Sequence, residues 1–162
     1  MINLIQKAFV KISFYYLSKG LDKLYQEDSE VQKRLAIIPN GTKIKLSILG
    51  SSQCLVLQKS ENGLYNCKDT ENCDLSINFK HYKTLPNIVF GTSSVIDCYL
   101  MDEFFVCGEL KYAVALVYLL ECFMGYILPN KLYQKTYKRK AEKSITSCKM
   151  FTTLLFAKRK SV

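Results

Sequence analysis

Between Gly108 and Pro129 the chain carries a long run, Leu110 to Leu128, with almost no polar face. Only Lys111, Glu121 and Gly125 interrupt its aliphatic and aromatic side chains. A helix that is apolar nearly all round has to be hidden in a core, against a partner or around an apolar ligand. As a membrane span it is at the lower limit, since a bilayer takes roughly 20 residues. Glu121 near its middle would cost a few kcal/mol there. Lys111 and Lys131 flank its two ends about equally, so no orientation signal is present. The expectation is a helix of a globular domain, with one face on a sheet and another on a cavity or an interface. A chain of 162 residues has the length for one such domain with a proper core.

The preceding residues supply the sheet. Residues 2 to 36 read as helical, with Ile2, Ile5, Phe9, Ile12 and Tyr16 near a three-to-four spacing. Gly20 is expected to break or bend this run, and Leu21 to Leu35 forms a more polar second piece. Lys43 to Ile48 alternates cleanly, which marks a strand with one wet face. Cys54 to Gln58 is a second strand. Asn62-Gly63 is the strongest hairpin signal in the chain, because both residues tolerate positive φ, and Leu64 to Cys67 returns as a third strand. Cys73 to Phe79 alternates again. Pro86 suits the first turn of a short helix closed by Gly91. Thr92 or Ser93 caps the next one, which contains Asp97. A strand from Glu103 to Cys107 follows, with a pattern that suits cover on both faces, and the apolar helix comes after it.

Charge divides the chain. Residues 1 to 129 hold 13 Lys and Arg against 13 Asp and Glu, whereas residues 130 to 162 hold 10 against 1. We therefore read 1–129 as a neutral domain and 130–162 as a basic C-terminal extension. A basic arm on a neutral domain suits peripheral contact with an anionic membrane through Lys135, Lys138, Arg139 and Lys140, and argues against nucleic acid as the main partner. The apolar stretch Phe151 to Phe156 within that arm could fold back as a plug. Seven cysteines, an odd number, include no CxxC pair and sit mostly among apolar neighbours. That usage fits a reducing cytoplasm. Lys7 and Lys11 interrupt the N-terminal apolar stretch, which is the wrong layout for a secretory signal. The single histidine, His81, has no partner at metal spacing. No catalytic constellation or phosphate-binding Gly loop is visible, so neither metal, cofactor nor catalytic residues are expected.

The run Asp74-Leu75-Ser76-Ile77, then Leu85, Val89 and Gly91, Tyr99-Leu100, and Phe104-Phe105-Val106-Cys107-Gly108-Glu109-Leu110 before a helix with small residues at Ala113 and Ala115 resembles the sterol carrier protein-2 family of lipid-binding domains. The order of elements before residue 73 is also the one the family uses, so the likeness covers roughly residues 5 to 128. The resemblance implies an α+β fold, a five-stranded, mostly antiparallel sheet covered by helices. It also implies an apolar tunnel for a fatty acid, acyl-CoA, phospholipid or sterol-like lipid, and lipid transport without catalysis. By the same resemblance, ligand contacts come from the short helices, the last strand and the final helix: Val89, Phe90, Val95, Tyr99, Phe105, and on the long helix Val114, Val117 and Leu120. Alternation alone leaves open which of Phe104 and Phe105 faces the tunnel. Met124 would extend the helix wall, with Ala113 and Ala115 leaving room. The alternative is a protein-interaction or dimerisation module whose apolar helix is covered by a partner.

Overall fold

The computed structural model describes residues 4–156. Its first helix, α1 (Leu4–Glu27), runs unbroken through Gly20. The expected break is absent because this glycine serves a neighbour rather than a turn. A Cβ built on Gly20 would lie 1.9 Å from Cε2 of Phe123, so the bare backbone is the seat of that ring. The chain breaks instead at Asp28, whose carboxylate accepts from the amides of Glu30 and Val31 and caps α2 (Ser29–Leu35).

Five strands follow: β1 (Lys43–Ile48), β2 (Cys54–Ser60), β3 (Gly63–Asn66), β4 (Leu75–Phe79) and, after two short helices, β5 (Phe104–Gly108). Their order in the sheet is β3-β2-β1-β4-β5. The pairs β1–β2, β2–β3 and β4–β5 are antiparallel, whereas β1–β4 is parallel. The fold is thus α+β with a mixed, mostly antiparallel sheet. The Asn62-Gly63 turn joins β2 to β3 as expected, but neither residue has a positive φ. A side chain at 63 would meet Asp22 Oδ1 on α1 at 2.2 Å, and that carboxylate accepts from the Leu64 amide.

Alternation sorts the sheet's two faces. Ile44, Leu46, Leu57, Leu75, Ile77 and Phe79 are buried in the core. The other face carries Lys43 and Lys45 on β1, and Ser47, whose hydroxyl bonds Asn78 at 2.7 Å. The short helices are α3 (Thr84–Val89), with Pro86 in its first turn, and α4 (Val95–Leu100). Gly91 follows α3 at φ +68°. The cap of α4 is Ser94, one or two residues later than expected. Its hydroxyl accepts from the Asp97 amide while the Asp97 carboxylate accepts from the Ser94 amide, a reciprocal capping box. On β5 only Phe104 is buried; Phe105 and Val106 are half-buried and Cys107 is exposed, because an edge strand has cover on one side only.

The apolar segment forms α5 (Leu110–Ile127). By length and composition it could cross a membrane, and 56% of it is buried inside the fold. Gly108, just before it, has φ +120° and stands where a Cβ would come within 2.2 Å of the Asp74 carbonyl oxygen. Only glycine lets β5 lie that close to the start of β4 before the chain turns into α5.

Beyond Pro129 the chain forms α6 (Asn130–Tyr137) and α7 (Ser147–Phe156). Tyr133, Met150 and Leu154 are buried against the body of the protein. The charge that interrupts α5 finds its partner here. Arg139 Nη2 lies 2.7 Å from Glu121 Oε2, and Arg139 Nε donates to the Tyr133 hydroxyl at 3.3 Å. Burial raises the Glu121 carboxyl above the ordinary carboxylate range, with Arg139 pulling the other way.

Two outcomes follow from this packing. Gly20→Ala should destabilise the protein by about 1–3 kcal/mol in urea titrations, despite alanine's better helix propensity, because Phe123 must leave its seat. Phe123→Leu in the same chain should recover part of the loss, and strict additivity of the two changes would contradict the contact. For Glu121, a carboxyl raised by folding stabilises fully below its unfolded pKa and loses that contribution as pH rises through its folded value. The stability of Glu121→Gln relative to wild type should therefore increase between about pH 4 and pH 7. A flat difference across that range would rule out the burial assigned to this carboxyl.

Candidate functional site

Between the sheet and its helices lies a cavity of about 430 Å³. Its floor is the core face of three strands: Leu46 from β1, Ile77 and Phe79 from β4, and Phe104 from β5. The β4–β5 register sets Phe79 opposite Phe104, and the two rings meet edge-on with centroids 5.6 Å apart. The short helices close one side with Leu85, Ile88 and Val89 from α3 and Val95 from α4. The inner wall is α5, through Leu120, Phe123, Met124 and Ile127.

The mouth is built by two helices from opposite ends of the chain. From α1 come Phe9, Ile12, Ser13, Tyr16 and Leu17, and from α7 come Phe151, Leu154 and Leu155. Ile12 (55%) and Leu155 (63%) are among the most exposed of these side chains, so the cavity opens to the surface along the α1–α7 seam. The plug expected from residues 151 to 156 lies here, at the mouth. Serine and tyrosine hydroxyls, of Ser13 and Tyr16, are the only polar side-chain groups of the lining residues.

The stripe Ile5, Phe9, Ile12 and Tyr16 takes on a different meaning in the structure. The core face of α1 is the neighbouring stripe of Val10, Phe14, Leu17, Leu21 and Leu24. The first stripe is exposed at Ile5, Ile12 and Tyr16, and Phe9, Ile12 and Tyr16 face the cavity mouth. Helix periodicity thus located the stripe that faces the mouth and not the one that meets the core; Ile2, also placed on that stripe, lies outside the described residues.

Of the residues expected at the ligand, Val89, Val95 and Leu120 line the cavity. The other five lie outside its wall. Phe90 caps the C-terminal end of α3, is 60% exposed, and packs on Phe9 with ring centroids 5.3 Å apart. Phe105 pairs with Asn78 and so shares the polar face of the sheet, which resolves the choice in favour of Phe104. Tyr99 and Val114 are exposed, beside exposed Leu100, Met101 and Leu110 near the α4 and α5 ends. Val117 is half-buried against the core. Ala113 and Ala115 are buried in packing, while Met124 does face the cavity. On α5, residues 120, 123, 124 and 127 share the inward face; Val114 is turned from it, whereas Val117 is in phase with Met124 but two turns nearer the start of the helix, where it packs on the core beyond the cavity.

In the basic segment, Lys135, Lys138 and Lys140 are exposed. Arg139 is exposed too, but its guanidinium is committed to Glu121 and Tyr133. Burial pushes the Cys98 thiol up to about 12 and raises that of Cys122, so neither is a thiolate at neutral pH. Among the described residues, no group of three His, Cys, Asp or Glu is placed to hold a metal. The arrangement can enclose an apolar molecule.

No protein-family model matches the chain, and none of the curated proteins does. Solved structures similar to it include one described as "UbiJ-SCP2 Ubiquinone synthesis protein". That likeness has 17% identity and a TM-score of 0.46, and spans 66% of this chain and 90% of the other. Another is Sterol Carrier Protein 2 Like 2 (SCP2-L2) from Aedes Aegypti, with 10% identity and a TM-score of 0.38, spanning 55% of this chain and 88% of the other. Both of these similar structures are described as SCP2 proteins.

Proposed function

We propose that this protein binds one apolar ligand without transforming it, and exchanges that ligand with membranes. The observation that carries this reading is the wall of the cavity, which is apolar except for Ser13 and Tyr16 at the seam where it opens. A volume of about 430 Å³ falls in the range of small-molecule sites, about 300–1,000 Å³. Fatty acid, acyl-CoA, phospholipid and sterol-like lipids share the required chemistry, an apolar body whose polar end stays at the mouth. Affinity would grow with buried apolar area, at roughly 25 cal/mol per Å², and selectivity with the shape of the wall. Lys135, Lys138 and Lys140 would add attraction to an anionic leaflet, about 1 kcal/mol each when close to its surface. The seven cysteines are all unpaired, which supports a reducing compartment such as the cytoplasm. The alternative, a helix that a partner must cover, loses its main support because the protein's own helices and sheet cover most of α5.

Native mass spectrometry with organic extraction should reveal a copurifying lipid, or uptake of an added fatty acid or phospholipid by the empty protein. Val89→Asp puts a charge into the cavity wall and should weaken uptake by about tenfold or more. Val117→Asp, outside the wall, should leave uptake within about twofold provided both proteins remain folded by circular dichroism. The chain has no tryptophan, so Phe151→Trp provides a single reporter at the mouth whose emission should shift to the blue on binding. A protein that stays empty with every lipid class offered would refute the reading.

A further inference from the structure

Three features of α7 belong together. First, the segment leading into it is anchored. The Tyr126 hydroxyl, on buried α5, accepts from the amides of Ser144 (2.8 Å) and Ile145 (3.2 Å), and the Ser144 hydroxyl bonds Asp28 at 2.8 Å. This anchorage reaches Ile145, two residues before α7 begins at Ser147. Second, the helix is held to α1 by polar contacts at both of its ends. Near its start, Lys149 lies 2.7 Å from Glu27, which also pairs with Lys23 at 2.5 Å. Hydrogen bonds from these two lysines hold the Glu27 carboxyl down at about 2, so the contact is ionised throughout the neutral range. Near its end, the buried Lys19 ammonium donates to the Leu154 carbonyl at 3.2 Å, where a helix C-terminus favours a cation. Third, the face between these contacts is the cavity's outer wall, with Phe151, Leu154 and Leu155.

We propose that α7 is a hinged gate over the cavity. It pivots at Thr146 and is held shut by the Glu27–Lys149 pair and the Lys19–Leu154 bond. The apolar ligand enters and leaves by its displacement. This rests on the lipid-binding reading and assigns the route and its control. An ion pair on the surface is a weak latch that salt screens, which suits an element that must release repeatedly. Met150 and Leu154, buried when the gate is shut, return it to the closed position in water, because opening exposes them. An anionic lipid surface, which draws Lys149 away from Glu27, would favour the open form at the place where ligand is exchanged.

The test uses the full chain and four proteins: wild type, Glu27→Gln, Lys149→Gln, and a control, Lys33→Gln, which breaks a comparable surface pair with Glu30 on α2 (2.7 Å). Amide hydrogen exchange reads the gate with no ligand present. Residues 147 to 156 should exchange about fivefold faster in Glu27→Gln and Lys149→Gln than in wild type or the control, with α5 unchanged. Stopped-flow uptake of a fluorescent polyene fatty acid should accelerate by a similar factor in the same two variants. Raising the salt should bring wild type toward them. Equal protection of α7 in all four proteins overturns the gate. So does a loosened α7 with unchanged uptake, since the ligand would then use another route. If no form takes up the probe, the lipid-binding reading fails, and the hydrogen exchange still decides whether these contacts hold α7.

Discussion

Phe123 resting on the bare backbone of Gly20 is the contact on which the architecture turns. It allows α1 and α5, the two long helices, to approach more closely than any side chain at position 20 would permit. With those helices fixed, Phe123 serves both as packing and as cavity wall. The space enclosed by the sheet, α3, α4 and α5 is then set by backbone geometry, and its lining residues fill only part of it. Protein interiors are normally packed to crystal density, and an apolar void of this size departs from that norm.

Electrostatics work at the margin of that void and not inside it. The buried carboxyl of α5, Glu121, is met by Arg139 from a segment far along the chain, so the polar interruption of an apolar helix has a partner at the surface. Glu27, at the end of α1, performs a similar service for Lys149. In both cases an acid of the neutral domain receives a base of the C-terminal segment. The charge division along the sequence is thus partly resolved in space, through two specific pairs, while Lys135, Lys138 and Lys140 face solvent.

How much of this was legible in the sequence depends on periodicity. Strand alternation placed β1 and β4 with their faces, and Pro86, Gly91 and Pro129 marked helix boundaries correctly because their backbone restrictions are local. The likeness to sterol carrier protein-2 domains carried the order of elements into an α+β fold. Phase within a helix was not legible. On α5 nearly every position is apolar, so nothing in the pattern separates Leu120 and Met124, which face the cavity, from Val114 and Val117, which do not. On α1 two apolar stripes compete, and the more conspicuous one, at Phe9, Ile12 and Tyr16, belongs to the mouth. Gly20 reads as a helix breaker from propensity alone, whereas its cause is a ring more than a hundred residues away in sequence. The role of Arg139 was likewise invisible, since a basic run gives no hint of which member pairs with a buried acid.

The parallel pairing of β1 with β4 bears on how the protein comes to have a site at all. The β1–β2–β3 meander is made of neighbours in sequence, but β4 must return from the far edge to lie beside β1, with Asp74 bonding both ways to the backbone of Lys43 at the start of that register. The cavity floor takes Leu46 from one side of this junction and Ile77, Phe79 and Phe104 from the other. Contacts of such long sequence separation close late, because the loop entropy has to be met before they give any return. A chain that closes these contacts last would hold a finished β1–β2–β3 meander before the greasy floor of the cavity is complete or roofed. The same residues that later line the cavity would be, during that interval, the ones a chaperone has to shield.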